Sequence, residues 1–163
     1  TGVQTCALPI YVHIPFCVHK CSYCDFYSFT KYQAEDFKLF TEVLCREIRS
    51  AQKSMRTRLG DLPQVTSLFF GGGTPSLLPV EYLSQLINEL RGHFDFDLAP
   101  EITIEANPET VSTEFLDKLK AMTPVNRVSL GAQSFSETNL KKLERLGSRE
   151  SIYRAVELLK MFG

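Results

Sequence analysis

Strand-like and helix-like runs of apolar residues alternate along the chain. Tyr11 to Phe16 (YVHIPF) reads as a strand, with Val12 and Ile14 flanking His13. After a cysteine-rich loop, Phe37, Phe40, Leu44, Ile48 and Ala51 recur every three or four residues, the stripe of an amphipathic helix. Ser67 to Phe70 is a short apolar strand running into Gly71-Gly72-Gly73, and Leu83, Leu86, Ile87 and Leu90 make a second helical stripe. Glu101 to Ala106 alternates polar and apolar positions as a strand does. Ser112 is placed to cap a third helix carrying Leu116 and Leu119. Arg127 to Gln133 alternates again, a short helix follows to about Arg145, and Gly147 is a stop signal. Ser148 then caps a last helix with Ile152, Ala155, Val156, Leu159 and Phe162 inward. Four strand–helix units in succession predict an α/β fold with parallel strands and right-handed crossovers. Four units are too few to close a barrel, and an open parallel sheet needs both faces covered.

A length of 163 residues suits one domain, and no internal repeat or low-complexity segment interrupts it. Thr1 to Ile10 (TGVQTCALPI) fits no element of the pattern. It resembles the in-frame translation of a sequencing-adapter oligonucleotide, which sets native sequence near Tyr11 and leaves Cys6 without a role. A disordered N-terminus is the alternative. Lys and Arg number 18 against 19 Asp and Glu, so the net charge of −1 points to neither nucleic acid nor an anionic membrane surface. The longest apolar runs are strand-length, far short of a bilayer span, and no export signal opens the chain.

Five cysteines are present, and three of them, Cys17, Cys21 and Cys24, crowd into eight residues. An odd, clustered set argues against a disulfide framework and for a metal site in a reducing compartment, hence a cytoplasmic protein. Cys17-x-x-x-Cys21-x-x-Cys24 can wrap three corners of a [4Fe–4S] cluster and leave one iron without a protein ligand. S-adenosylmethionine (SAM) offers an amine and a carboxylate to chelate such an iron. An electron from the reduced cluster can then break the sulfonium bond and release a 5′-deoxyadenosyl radical. The alternative is a zinc site completed by His13 or His19, although zinc ligands normally come as two separated pairs. Cys45 lies mid-helix beside an apolar stripe and reads as core filling. His13 is either a hydrogen-bond donor near the metal site or a packed strand residue, while His19 and His93 read as solvent-facing.

The segments YVHIPFCVHKCSYCDF, GGGTPS, EANP and GAQSF follow one another in the sequence. Together they closely resemble the oxygen-independent coproporphyrinogen III oxidase family of radical SAM proteins, and within it the subgroup described as haem chaperones. The resemblance covers Tyr11 to Gly163. It implies that Tyr11 is an aromatic residue near bound SAM, that Tyr23 supports the adenine, and that Gly72, Gly73 and Thr74 take the amino group. It further implies that Glu105, Gln133 and Arg145 hold SAM. Independently, Glu105 shares strand parity with Glu101 and Thr103, and Gln133 with Arg127 and Ser129, so both side chains are expected on the face opposite the helices. A carboxylate there needs a partner, which the SAM ammonium or ribose supplies; an internal salt bridge is the alternative. Without the family, Arg145 with Lys141 and Lys142 would read as a solvated basic face.

In the oxidases the residue two after the third cysteine is typically a further cysteine; here it is Phe26. That departure, with GGGTPSLL and EANPET, makes the chain more similar to the chaperone subgroup, which binds haem and passes it to haem-requiring respiratory proteins. The oxidase alternative would convert two propionates of a porphyrinogen to vinyl groups. A plain zinc or iron–sulfur module is the third reading. The family scaffold is a six-unit (β/α) partial barrel, so the resemblance implies that this chain holds about four of the six units.

Overall fold

The computed structural model describes residues 7–162. Thr1 to Cys6 and Gly163 lie outside the described residues, and the expectation for Cys6 falls there. The elements alternate throughout: β1 (Leu8–Ile14), α1 (Ala34–Leu59), β2 (Val65–Gly72), α2 (Val80–His93), β3 (Phe96–Ala106), α3 (Thr113–Met122), β4 (Arg127–Leu130), α4 (Glu137–Lys142) and α5 (Arg149–Phe162). Single 3-10 turns at Pro75–Leu77 and Pro108–Thr110 follow β2 and β3. The four strands form one sheet in the order β1-β2-β3-β4, each pair parallel.

The register sorts side chains into two kinds of row. Val12, Phe70, Ile104 and Val128 stand side by side across the sheet, as do Ile10, Leu68 and Ile102. These rows meet Cys45 and Ile48 of α1, Leu83, Leu86, Ile87 and Leu90 of α2 and Leu119 of α3 in one core. Full burial of an aliphatic side chain such as Ile104 stabilises by roughly 1.5–3 kcal/mol, so this layer dominates the fold. A second cluster of Ala106, Val111, Leu116 and Ala155 seats α5 beside α3. The alternate row of Tyr11, Phe69, Thr103 and Arg127 faces the other way. That face carries Glu105 and Ser129 one step further toward the C-terminal strand ends. Glu105 and Ser129 are therefore on the face the helices leave open.

Local signals match the elements. Ser112 Oγ accepts from Phe115 N at 3.1 Å at the start of α3, a cap worth about 1 kcal/mol. Ser148 does the same for Ser151 N ahead of α5. Asp36 accepts from Gln33 N at 2.7 Å at the start of α1, and Gly60, at φ +74°, ends that helix.

Several details differ from the sequence reading. β1 opens at Leu8 rather than Tyr11, because Leu8, Pro9 and Ile10 pair with Val65, Ser67 and Leu68. Backbone pairing requires no side-chain pattern, and Leu8 and Ile10 pack against the core rim. β4 stops at Leu130, because the backbone then folds into successive tight turns, Ala132 N to Leu130 O and Ser134 N to Ala132 O. Gln133, at φ +63°, therefore lies beyond the strand, and strand parity does not govern its direction. His93 is half-buried against Glu89 at 3.0 Å rather than turned to solvent.

Candidate cofactor site

The site begins with an anchor. Phe16 is fully buried and is met edge-on by Phe29, Tyr32, Phe37 and Phe40, the closest at 4.6 Å between ring centroids. Cys17 N bonds Phe29 O at 3.1 Å and Phe29 N bonds Pro15 O at 3.0 Å, so the cysteine loop leaves and rejoins the fold at one point. His13 Nε2 lies 2.7 Å from Tyr27 O and fastens the far side of the loop, so its strand position serves the site directly. Cys17 is buried beneath the loop, while Cys21 and Cys24 are half-buried on it.

The glycine turn after β2 is bonded to the same strand end. Gly73 N reaches Ile14 O and Thr74 N reaches Phe16 O, both at 2.8 Å. A Cβ on Gly73 would stand 2.7 Å from Phe16 O and 2.9 Å from Cys17 Sγ, so only glycine lets the turn lie against the first thiol. Gly72 adopts φ +112°, and a Cβ there would meet the His13 ring at 2.6 Å.

From the other side, β3 and the segment after β4 bring polar groups. Glu105 accepts from Gly72 N at 3.2 Å. Arg145 is not on a solvated face. Its Nη2 donates to Asn107 Oδ1 at 2.8 Å and Gly131 O at 2.9 Å, and its Nη1 lies 3.7 Å from Cys21 Sγ. Asn107 Nδ2 donates to Thr74 Oγ1 at 3.1 Å. One cleft of about 360 Å³ is lined by Cys17, Cys21, Cys24, Tyr23, Gly72, Gly73, Thr74, Glu105, Gln133 and Arg145. Tyr11 does not line it; its ring stacks on Phe69 at 5.9 Å, lower on the same sheet face. Burial pushes the Tyr23 phenol above its usual range, with the Arg145 cation opposing the rise. Burial and the Glu105 charge do the same to Tyr11.

The family profile described as "Radical SAM superfamily" matches residues 11–163. The chain belongs to the radical SAM superfamily. Among curated proteins it is 37% identical over 157 residues to heme chaperone HemW of Escherichia coli strain K12, covering 96% of this chain and 40% of that protein. It is 34% identical to heme chaperone HemW of Buchnera aphidicola from Schizaphis graminum, covering 94% of this chain and 39% of the relative. The chain thus spans about two fifths of the length of the curated relatives it matches. Among solved structures it is similar to the coproporphyrinogen III oxidase HemN from Escherichia coli, a radical SAM enzyme, with TM-score 0.79 and 30% identity over 96% of this chain and 35% of that one. Archaeal Elp3 of Methanocaldococcus infernus shares the fold, with TM-score 0.54 and 16% identity over 91% of this chain and 34% of that one.

Radical SAM membership implies a [4Fe–4S] cluster and SAM, and the residues present fit both. All three loop thiols line one cleft. Among the described residues, no three His, Cys, Asp or Glu side chains gather as a single ion requires. A cluster makes a different demand, since each thiolate takes its own iron. Ser28 belongs to the cleft lining, and its Oγ is buried with no hydrogen-bond partner among the described residues. Sequence reasoning missed Asn107 and Ser28; of the two readings of His13, the structure shows the hydrogen-bond donor, with Tyr27 O as its acceptor. Asn107 was legible only as part of EANP, and nothing in the local pattern marked Ser28.

Proposed function

We propose that residues 11–163 form part of a radical SAM core that binds a [4Fe–4S] cluster through Cys17, Cys21 and Cys24 and SAM in the cleft beside it. The observation that carries this reading is the convergence of three thiols, the glycine turn, Glu105 and Arg145 on one cleft. The cluster, when bound, supplies the electron that cleaves the sulfonium of SAM. The protein's own residues bind and orient. Gly72 and Gly73 admit the ligand close to the backbone, and Glu105 offers carboxylate oxygens to an ammonium or ribose hydroxyl. Arg145 presents a planar cation suited to a carboxylate. Gln133 and Tyr23 stand at the cleft wall, where an adenosine moiety would be held. Tyr11 lies lower on the same face, stacked on Phe69 and outside the cleft lining.

The substrate class is haem, and the role is that of a cytoplasmic haem chaperone passing haem to haem-dependent respiratory proteins. Phe26 supports this reading: it stands where oxidases of the family have a further cysteine, is exposed and lines the cleft. The curated relatives named heme chaperone are consistent with it. Among the described residues, no helix is long and apolar enough to cross a membrane. The test is anaerobic reconstitution of the longest native chain carrying this segment. Four irons per chain, an EPR spectrum altered by SAM and saturable haem binding without vinyl products are expected. Vinyl products from coproporphyrinogen III would establish the oxidase reading instead. Absence of a four-iron species would remove both.

A further inference from the structure

Two loop thiols are joined by a continuous line of hydrogen bonds, and Asn107 is its centre. The direction of the line follows from donor chemistry. An arginine side chain can only donate, so the Asn107 atom 2.8 Å from Arg145 Nη2 is the carbonyl oxygen. The amide nitrogen then faces Thr74 Oγ1 at 3.1 Å and donates to it. Thr74 is an acceptor in that bond, which leaves its single proton for Cys17 Sγ at 3.8 Å. At the other end, Arg145 Nη1 is 3.7 Å from Cys21 Sγ. Each bond therefore points away from the guanidinium and toward sulfur. Polarisation along such a chain is cooperative in a low-dielectric setting.

The same four residues, Cys21, Thr74, Asn107 and Arg145, also line a second cavity of about 360 Å³.

We propose that Asn107 is a positioning residue that ties Thr74 to Arg145 and so directs hydrogen-bond donors onto the thiolates of Cys17 and Cys21. This rests on the cluster reading above. Donors to cluster sulfurs favour the more negative reduced state and raise the reduction potential. Asn107 thereby raises the potential at which the cluster is reduced.

The experiment is an EPR-monitored dithionite titration of the [4Fe–4S]2+/1+ couple in the reconstituted longest native chain. Asn107→Asp cannot donate; the Thr74 proton turns to the new carboxylate, Cys17 loses its donor, and the couple moves to a more negative potential. Thr74→Val removes the same donor and moves the couple the same way, whereas Thr74→Ser keeps the wild-type value. The double variant shifts by less than the sum of the two, because both break one line. Iron loss to a chelator also accelerates, by roughly tenfold, in Asn107→Asp and Thr74→Val. Should Asn107→Asp fail to fold, Thr74→Val against Thr74→Ser carries the test alone. Wild-type potentials in the non-conservative variants, or additive shifts, overturn the relay while leaving the cluster reading intact. A wild-type protein that assembles no four-iron cluster overturns the cluster reading itself.

Discussion

Gly73 lies so close to Cys17 that a Cβ at the glycine would stand 2.9 Å from the Sγ. The same Cβ would lie 2.7 Å from the backbone oxygen of Phe16, which has no rotamer with which to move aside. Gly73→Ala is therefore expected to destabilise by about 1–3 kcal/mol, the usual cost of overpacking, and to reduce iron loading. A urea titration and iron assay check this. A wild-type midpoint with full iron would show that the turn is looser than these contacts.

Each of Cys17→Ala, Cys21→Ala and Cys24→Ala is expected to abolish the four-iron species. Cys45→Ala is expected to keep it, because Cys45 sits in the core between α1 and α2. Iron and acid-labile sulfide content per chain separates the two groups. Retention of four irons in any of the first three variants would remove that cysteine from the ligand set.

Burial pushes the Cys45 thiol above its ordinary value, with the Glu89 charge adding to the rise. A raised folded value favours the neutral thiol in the native state. The resulting stability is complete below the ordinary thiol pKa and is lost as pH rises through the folded one. The destabilisation caused by Cys45→Ala is thus expected to shrink between neutral pH and about pH 10, beyond the ordinary thiol range. Paired denaturant midpoints at the two pH values measure this, and a gap that widens with pH would contradict the sign.

Arg145 serves three acceptors at once: Asn107, Gly131 and Cys21. Lysine offers a point charge without the guanidinium fork, so Arg145→Lys cannot reproduce them together. Loss of the charge-assisted bond proposed between Arg145 and the SAM carboxylate would cost about 1.5–3 kcal/mol, so SAM affinity should fall at least about tenfold in Arg145→Lys and further in Arg145→Met. Calorimetric titration of SAM into reconstituted protein is the measurement. Equal affinities for wild type and Arg145→Lys would show that charge alone suffices.

Phe16 couples the core to the loop, being enclosed by four aromatic rings and adjacent to Cys17. Phe16→Ala is expected to cost about 3–5 kcal/mol and to release the loop as well. Faster alkylation of Cys17, followed by peptide mass analysis, reports the second effect. A destabilised variant with Cys17 as protected as in wild type would confine Phe16 to the core.

The sequence by itself determined the α/β order, the parallel strands, the inward stripes and the cysteine triplet, because each is written in short-range periodicity or spacing. Glu105 was legible for the same reason: the alternation through Ile102 and Ile104 leaves it one face to occupy. No short-range pattern decided the rest. Arg145 by local pattern is a solvated charge beside Lys141 and Lys142; only the family resemblance pointed it to the site, and its partner Asn107 lies 38 residues away. Gln133 was assigned to the cleft through a strand that ends three residues earlier, and it arrives there by a left-handed turn instead. Contacts of this kind depend on where parallel strands end relative to one another, which no local pattern of side chains encodes.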